Sequence, residues 1–346
     1  MLSNLHVMTV ILDDNNLKGQ MYPFTATRAV ADIRIGILTI REKWALLLTG
    51  TAEKSGSITI PANIIPTIDN VQEIIAACNN GTQLTDSESI QSIHYPWDIF
   101  LLNGWALKKD FELITTGRQS AVLSSTNKAI SPENIFIEEG AAVEYSIINA
   151  STGPVYIGKN AVIMEGCMVR GPLALCEGAT LKMGSKIYGA TTIGPASVVG
   201  GEIKNSVIFG NSNKGHDGYL GDSVIGEWCN LGGGTTTSNV KNTASNVHVW
   251  NNKIKAYQEI GLKCGLLMGD YSRAAINTSF NTGTVAGVCC NVFGDGFPPK
   301  FIPDFTWGRE RYFFHKALHD VDNWKKLKGD AITEKEKEIL EQLYNQ

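Results

Sequence analysis

One stretch of the sequence carries most of the side chains that could do chemistry. His216 lies in the segment LysGlyHisAspGlyTyrLeuGlyAsp at 214–222, and Glu202 and Lys204 precede it. An imidazole, with an ordinary pKa near ~6.5, can take a proton from an attacking amine at neutral pH. A carboxylate within hydrogen-bond reach would raise that pKa and fix the tautomer of the ring. The residues suit general-base catalysis by His216 with Glu202 as its partner, but a hydrogen-bonding surface histidine and a solvated charge pair of Glu202 and Lys204 stay open as interpretations.

A glycine run follows this segment. Gly232, Gly233 and Gly234 come directly after Leu231, and their backbone N–H groups could bind a thioester carbonyl as it becomes an oxyanion. Such a donor contributes roughly 3 kcal/mol in other enzymes. Direct transfer from a thioester to an amine needs no covalent intermediate, so no cysteine nucleophile is required. Tight turns explain a glycine run equally well, and both interpretations stay open.

A six-residue repeat indicates how these residues are positioned. An aliphatic side chain recurs at every sixth position, at Ile157, Ile163, Val169, Leu175, Leu181, Ile187, Ile193 and Val199. This period is neither helical nor that of a flat strand, and it is typical of a parallel β-helix with small residues at its corners. The sequence therefore predicts a hexapeptide-repeat β-helix with three hexads in each coil.

The repeat has two interruptions. The six-residue phase is lost after Val199, resumes at Ile225 and Leu231, and resumes again from Met268. We expect loops that leave a corner of the β-helix at about 201–219 and 240–262, and sites of repeat proteins are commonly built on such loops.

Composition limits the classes of function. The chain has 346 residues, of which 43% are hydrophobic and 18% charged, so it can bury a large core and hold two domains. A net charge of −4 with scattered Lys and Arg argues against nucleic acid as a partner. The first residues lack both the basic stretch and the long apolar run of a signal peptide or membrane span. This predicts a cytoplasmic protein without membrane insertion. Seven cysteines without a CxxC pair are expected to be reduced packing residues.

The regions on both sides of the repeat lack its six-residue period and instead have patterns of strands and helices. His6 to Leu12 and Asp98 to Leu102 are predicted to be buried strands, whereas Val30 to Trp44 and Asn70 to Ala77 have helical spacing. Two further helices are predicted near the carboxy terminus, the second beginning at a Thr333-x-x-Glu336 capping box. The predicted organisation is an α/β domain at 1–130, the β-helix at 131–304 and a short helical tail at 305–346.

The central motifs resemble a known family. His216 to Asp222 and Asn230 to Thr235 match the His-x-x-Tyr-Leu-Gly-Asp and Asn-x-Gly-x-Gly-Thr motifs of the bifunctional glucosamine-1-phosphate acetyltransferase and N-acetylglucosamine-1-phosphate uridylyltransferase family. This resemblance, over about residues 135–300, implies a left-handed β-helix, a homotrimer with a coenzyme site between subunits, and acetyl-CoA as the acyl donor.

The resemblance also implies a role for each matching residue. His216 is the implied base, Glu202 the carboxylate that polarises it, and Lys204 a phosphate contact. Lys186 stands where the family has an arginine, so only a point charge is kept there. The residues implied to line the sugar and acetyl pocket are Tyr219, Asn230 and Asn239, and those implied to lie near the coenzyme are Gly232, Gly233, Gly234 and Asp270.

The amino-terminal region resembles a degenerate sugar nucleotidyltransferase. Met21 to Thr25 and Arg28 match the end of that signature, but the Gly-rich phosphate loop is absent and Gln20 replaces its arginine. Trp105 stands where a metal-binding acid is expected. The whole arrangement resembles a divergent branch described as sugar nucleotidyltransferases.

Three hypotheses follow. The first is an acetyl-CoA-dependent N-acetyltransferase acting on an amino-sugar phosphate, with the amino-terminal region inactive. The second is a nucleotidylyltransferase that uses Mg²⁺ on Asp13 or Asp14, with phosphate contacts from Lys18, Arg28 and Arg34. The third is a non-catalytic trimer that binds a sugar nucleotide. A zinc-dependent carbonic anhydrase is disfavoured because the repeat region holds too few histidines for a three-histidine site, and no metal is expected in the β-helix.

Overall fold

A computed structural model describes residues 9–14, 17–48 and 57–346. Within 128–311, which the structure describes without a gap, the chain winds into a parallel β-helix with three faces. The six-stranded face comprises Lys128–Ile130, Ile147–Asn149, Met168–Arg170, Lys186–Tyr188, Glu202–Lys204 and Tyr219–Gly221. The nine-stranded face comprises Ile135–Ile137, Val155–Ile157, Leu173–Leu175, Thr191–Ile193, Val207–Ile208, Val224–Ile225, Leu266–Met268, Thr284–Ala286 and Phe301–Ile302. The ten-stranded face comprises Ala142–Val143, Val162–Ile163, Thr180–Leu181, Val198–Val199, Asn213–Lys214, Asn230–Leu231, Arg273–Ala274, Asn291–Val292, Thr306–Trp307 and Glu310–Arg311, the last of which is antiparallel to its neighbour.

The hexad pattern sets the register of these faces. Ile157 lies beside Leu175, and Leu175 lies beside Ile193, so three hexads make one coil as predicted. The aliphatic side chains point into the interior and are buried, and each contributes about 1.5–3 kcal/mol by leaving water. The predicted fold class, an α/β region followed by a hexapeptide β-helix and a helical tail, is confirmed.

The first predicted loop, at 201–219, is wrong. Glu202–Lys204, Val207–Ile208 and Asn213–Lys214 continue the three faces without leaving the β-helix. The phase slips because the corner between Val199 and Glu202 contains only two glycines. The pattern is further hidden because Lys214, beside Val199 in register, takes an interior position that is aliphatic in other coils.

The second predicted loop, at 240–262, is confirmed as an antiparallel hairpin. Its strands are Val247–Asn251 and Ala256–Gly261, and the ring of Trp250 stacks on that of Phe301 with centroids 4.6 Å apart. Thr236–Thr237 precedes the hairpin and pairs with Ser279–Phe280 in a separate parallel pair.

The amino-terminal region lies on the nine-stranded face. Its strands pair as Thr9–Asp13 with Ser57–Pro61, Arg34–Ile35 with Leu38–Thr39, and Ile64–Ile65 with Gln91–Ser92. Its helices are α1, Ile40–Leu48, α2, Val71–Asn79, and α3, Asp98–Thr115. Outward side chains of the β-helix, including Val207, Phe209 and Leu267, belong to the same hydrophobic core as Phe24 and Ile60.

Two amino-terminal predictions need correction. Asp98 to Leu102 is not a strand but the start of α3, whose buried positions Ile99, Phe100, Asn103, Ala106, Leu107 and Asp110 recur with a helical period. Val30 to Trp44 is not one helix, because Gly36, with φ +74°, makes a tight hairpin before α1. The predicted strand at His6 to Leu12 is found as Thr9–Asp13, and its first residues lie outside the described part of the chain. The predicted burial of this strand is wrong, since none of its five residues is buried and, among the described residues, it pairs with a single neighbour, Ser57–Pro61. The predicted helix at Asn70 to Ala77 is confirmed as α2.

The tail packs on the far end of the β-helix. Its helices are α4, Phe314–Lys326, and α5, Glu334–Tyr344, and they share a core with Tyr271, Val288 and Phe305. The predicted capping box is confirmed, since Glu336 N–H donates to Thr333 Oγ1 at 3.2 Å and Thr333 N–H donates to the Glu336 carboxylate at 2.7 Å. Among the helices of the described residues, none has the length and apolar character needed to cross a membrane.

Candidate active site

Two rows of polar side chains lie on the six-stranded face. Lys186, Glu202 and Tyr219 are neighbours in one row, and Tyr188 and Lys204 are neighbours in the next. They point outward because the residues between them on each strand point into the core, where Ile187, Ile203 and Leu220 are buried. The β-helix therefore brings together four residues that the sequence assigned to one site.

Tyr188 links the two rows. Its hydroxyl donates to Glu202 Oε1 at 2.6 Å, and Lys204 Nζ lies 5.9 Å from the centre of its ring. The hydrogen bond to Glu202, together with burial, raises the pKa of Tyr188 to about 12. Tyr188 was missed from the sequence, although it lies on the same strand and the same side as Lys186.

A second cluster orients Tyr219. Asn239 Nδ2 donates to the Tyr219 hydroxyl at 3.2 Å and to the buried carboxylate of Asp222, while Asn205 Nδ2 donates to Asp222 Oδ1 at 2.7 Å. Burial raises the pKa of Tyr219 to about 12. Asp222 was also missed as a site residue, although it closes the motif that contains His216. It fixes Asn239, which in turn donates to the Tyr219 hydroxyl.

His216 lies at the corner between the ten-stranded and six-stranded faces. Its side chain is exposed and lies against Gly233, where an added Cβ would be 3.6 Å from His216 Cβ. Its carbonyl oxygen accepts a hydrogen bond from Lys214 Nζ at 2.5 Å. The same corner therefore holds the predicted base and the middle glycine of the predicted oxyanion site.

The glycine run offers one free donor rather than three. Gly232 N–H donates to Ala274 O at 2.9 Å and Gly234 N–H donates to Asp217 O at 3.0 Å. Among the described residues, Gly233 N–H has no hydrogen-bond partner. The N–H groups of Gly232 and Gly234 already donate to backbone oxygens of the β-helix. Gly233 N–H is therefore the donor of this run that stays predicted to bind the oxyanion.

The structure does not pair Glu202 with His216. The Glu202 carboxylate accepts its hydrogen bond from Tyr188, and no hydrogen bond to the His216 ring is found among the described residues. Glu202 N–H donates to Gly218 O at 3.2 Å, so the two residues lie on adjacent coils, without a hydrogen bond between their side chains. The predicted polarisation of His216 by Glu202 is not made within one chain.

Asp270 is engaged by the amino-terminal region. Its carboxylate accepts hydrogen bonds from Thr27 Oγ1, Arg28 Nη2 and the backbone N–H of Glu227, and it is 2% exposed. Arg28 also lies 3.4 Å from Glu227 Oε1. The structure therefore gives Asp270 and Arg28 a structural contact between the two regions; their predicted ligand-binding roles stay predictions.

Of the other amino-terminal candidates, Lys18 lines one cleft together with Arg28, whereas Arg34 and Asp14 do not line it. Arg34 Nη2 lies 3.3 Å from the carboxylate of Glu42, and Asp14 Oδ1 accepts the N–H of Val30 at 3.0 Å. Lys18 is exposed and lines a cleft of about 590 Å³ between the amino-terminal region and α5. Within the described ranges, no three His, Cys, Asp or Glu side chains come together as a metal site.

The cysteines fit the packing role predicted for them. All seven are free, and all but Cys78 are buried. Burial raises the pKa values of Cys229 and Cys264 well above the ordinary range, which disfavours the thiolate form that a nucleophile needs.

Lys214 yields a stability prediction. Burial lowers its pKa from the ordinary 10.5 to about 8, so the unfolded state holds this proton more tightly than the folded state. The resulting loss of stability is full below pH 8 and disappears as the pH rises from 8 to 10.5. We expect Lys214→Met, which fills the same interior position without a charge, to raise the melting temperature by about 2–4 °C at pH 7. Thermal unfolding at pH 7 and near pH 10 measures the difference, and an equal difference at both pH values would contradict this account.

Comparisons with known proteins fit this geometry. A family model described as sugar nucleotidyl transferase matches residues 9–84. The bifunctional protein GlmU of Methanocaldococcus jannaschii is 33% identical over 223 residues, which cover 64% of this chain and 48% of that protein. GlmU of Methanococcus maripaludis (strain S2) is 34% identical over 195 residues, covering 56% of this chain and 41% of that protein. The predicted resemblance to the GlmU family is confirmed.

This GlmU-like chain spans about half the length of the curated relatives it matches. A third relative, a bifunctional sugar-1-phosphate nucleotidylyltransferase/acetyltransferase from Sulfurisphaera tokodaii, is 30% identical over 200 residues, covering 57% of this chain and 43% of that protein. A solved structure of LpxA, a UDP-N-acetylglucosamine acyltransferase from Bacteroides fragilis, covers 65% of this chain and 97% of that chain at 14% identity. Its TM-score is 0.21, too low to support a conclusion.

Proposed function

We propose that this protein is an acetyl-CoA-dependent N-acetyltransferase acting on an amino-sugar phosphate, with His216 as the general base. One observation carries the proposal: the exposed imidazole of His216 lies against Gly233, the residue whose N–H is the free donor of the glycine run. A base and an oxyanion donor at one corner are the two groups that acyl transfer to an amine requires.

The six-stranded face supplies groups that suit the acceptor. Lys186 is exposed and Lys204 partly exposed, and two ammonium groups on one face attract a phosphate. Tyr219 and Asn239 present hydroxyl and amide groups, which suit the hydroxyls of a sugar. The acceptor would lie on this face with its amine toward the corner that carries His216.

The proposed reaction needs one base and no covalent intermediate. The amine nitrogen attacks the thioester carbonyl carbon, a C–N bond forms, and His216 takes the proton that the nitrogen loses. The oxygen that gains negative charge accepts a hydrogen bond from Gly233 N–H. The C–S bond then breaks, and the departing thiolate takes the proton back from His216.

Transfer is tested by following free thiol with acetyl-CoA and glucosamine 1-phosphate. N-acetylglucosamine 1-phosphate is the matched control because its nitrogen is already acylated. Thiol release with the first acceptor alone is the expected result. No release with glucosamine 1-phosphate or with a panel of other amino-sugar phosphates would overturn the proposal.

We further propose that the active form is a trimer in which a second copy covers the first three strands of the six-stranded face, Lys128–Ile130, Ile147–Asn149 and Met168–Arg170. Ile130, Ile147 and Met168 are 52%, 49% and 47% exposed there. They line a hollow of about 510 Å³ that also contains Lys186 and Glu202. An exposed apolar patch beside the candidate site is the expected location of a subunit contact.

The variant Ile147→Asp is expected to abolish this association. A carboxylate at this position would be buried without a partner in the contact, which costs several kcal/mol. Light scattering of the wild type should give three times the 37.6 kDa chain, and the variant should give the mass of one chain. Leu101→Asp, at a 57% exposed position of α3, is the control. A monomeric wild type would refute the trimer.

The second candidate is nucleotidyl transfer by the amino-terminal region. The family model over residues 9–84 favours it, and Lys18 lines a cleft large enough for a ligand. The ion pairs of Arg28 with Asp270 and of Arg34 with Glu42 disfavour nucleotidyl transfer, because they occupy the guanidinium groups predicted to bind phosphate. Release of pyrophosphate from UTP or dTTP with a sugar 1-phosphate and Mg²⁺ would establish this activity. Thermal stabilisation by a sugar nucleotide without any product would instead indicate a binding protein.

A further inference from the structure

Arg273 is a buried cation without an anionic partner. It lies on the ten-stranded face, next in register to Asn230 and Asn291, and it is 6% exposed. No carboxylate of the described residues lies within ion-pair distance of its guanidinium group, and its Nε is buried without a hydrogen-bond partner. Burial lowers the pKa of Arg273.

The guanidinium group faces a small pocket under the tail. The pocket has a volume of about 130 Å³ and is lined by Arg273, Asn291, Tyr312, Asp320, Asn323 and Trp324. Arg273 lies 5.3 Å from the centre of the Trp324 ring. It makes one long hydrogen bond, from Nη2 to the backbone oxygen of Asp320 at 3.4 Å.

The carboxylate in this pocket is already neutralised. Asp320 Oδ2 accepts hydrogen bonds from Lys316 Nζ, at 2.6 Å, and from the Tyr312 hydroxyl. The charge of Asp320 is therefore offset by Lys316 and not by a direct contact with Arg273. The side chains of Asn291 and Asn323 also line the wall of the pocket, and Asn323 Nδ2 lies 3.1 Å from His319 Nδ1.

We propose that this pocket binds a small phosphate-class anion through Arg273. Charged side chains are almost never buried without a partner, and the planar guanidinium fork matches phosphate oxygens in two parallel hydrogen bonds. The pocket, of about 130 Å³, has room for a single phosphoryl group. The anion is either free phosphate or a phosphate group carried by a larger molecule such as CoA.

The proposal predicts an anion-dependent rise in melting temperature. At constant ionic strength, replacing chloride by 20 mM inorganic phosphate should raise the midpoint of the wild type by about 2–4 °C, as expected near ten times Kd. Arg273→Gln should lose this shift. Arg41→Gln, which removes an exposed arginine paired with Asp32, changes the net charge equally and should keep it.

A second variant keeps the test valid if Arg273→Gln fails to fold. Asn323 is exposed on α4, and Asn323→Asp places a carboxylate at the pocket wall, where it can pair with Arg273 and exclude an anion. This variant should also lose the phosphate shift. The same series with CoA identifies the source: a shift that depends on Arg273 with CoA but not with phosphate assigns the anion to the larger molecule.

The proposal is overturned if neither phosphate nor CoA gives a shift that depends on Arg273, or if Asn323→Asp keeps the full shift. It does not depend on the proposed transferase activity. A protein that binds phosphate at Arg273 but transfers no acetyl group would refute the transferase and leave this site standing.

Discussion

Replacing His216 by alanine is expected to lower kcat for acetyl transfer by a factor of about 10²–10⁴ and to leave the melting temperature unchanged within about 1 °C. The His216 side chain is exposed, and its ring makes no hydrogen bond to the described residues, so its removal opens no cavity. The loss would come from the missing proton acceptor at the corner beside Gly233. Steady-state kinetics with acetyl-CoA and glucosamine 1-phosphate measure the effect.

The control for this variant is His248→Ala. His248 lies in the hairpin, and its side chain is 47% exposed beside Glu259, so it matches His216 in type and exposure without contacting Gly233. It should retain wild-type kcat. Equal losses in both variants, or full activity of His216→Ala, would exclude His216 as the base. Glu202→Gln tests whether Glu202 assists His216. Because Glu202 accepts its hydrogen bond from Tyr188, we expect this variant to lower kcat less than His216→Ala does.

The repeat was predictable because its physical requirement is local. A hexad needs an aliphatic side chain for the interior and a small residue at the corner, and both can be read directly from the sequence from Ile157 to Val199. The coil after Val199 was not predicted because its glycine corner is short and Lys214 takes an interior place. Only the stacked strands show that this lysine is buried.

The same limit explains the error in α3. Asp98 to Leu102 is a short apolar run, and periodicity cannot separate a buried strand from a helix over five residues. The residues after Leu102 indicate a helix, because Asn103 and Asp110 continue its buried face. These positions are polar because they satisfy backbone groups of the Gly36 hairpin, which a hydrophobic pattern does not reveal.

The residues of the candidate site were predictable only in part, because Tyr188 and Asp222 were missed, and its contacts were not predictable. The motifs placed Lys204, His216 and Tyr219 in one site, and the β-helix puts them on one face and its corner. The pairing of Glu202 with Tyr188, and the commitment of two of the three glycine donors, depend on distances between coils. Such distances are set by the corner lengths, which vary in this part of the chain.

Asp110→Asn is expected to lower the free energy of unfolding by about 3–5 kcal/mol, the largest stability effect predicted for this protein. Lys43 is 0% exposed, and its ammonium group contacts the Asp110 carboxylate and the carbonyl oxygen of Ile35, the latter at 2.8 Å. Burial raises the pKa of Asp110 and lowers the pKa of Lys43. Each group is therefore costly to bury without the other, and the variant leaves the ammonium group without its counter-charge.

The same carboxylate holds the amino-terminal region on the β-helix. Asp110 accepts the N–H groups of Ile37 and Leu38, and the neighbouring carbonyl of Gly36 accepts a hydrogen bond from Thr192 Oγ1 on the nine-stranded face at 2.8 Å. A protein that loses Asp110 should therefore expose the core shared by the two regions. Binding of a hydrophobic dye below the melting temperature would report this exposure.

Three further variants distinguish loss of the ion pair from nonspecific destabilisation: Asp69→Asn, Lys43→Met, and Lys43→Met combined with Asp110→Asn. Chemical unfolding measures their stabilities. Asp69→Asn removes an exposed carboxylate that lies 2.5 Å from Lys109, the residue before Asp110 on α3, and should cost less than about 1 kcal/mol. Lys43→Met combined with Asp110→Asn should be less destabilised than the sum of the single variants, because neither charge is then left buried alone. Additive costs would mean that the two side chains act independently. Since two opposite charges in contact in the protein interior must interact strongly, additivity would also contradict the contact between Lys43 and Asp110 that joins the amino-terminal hairpin to α3.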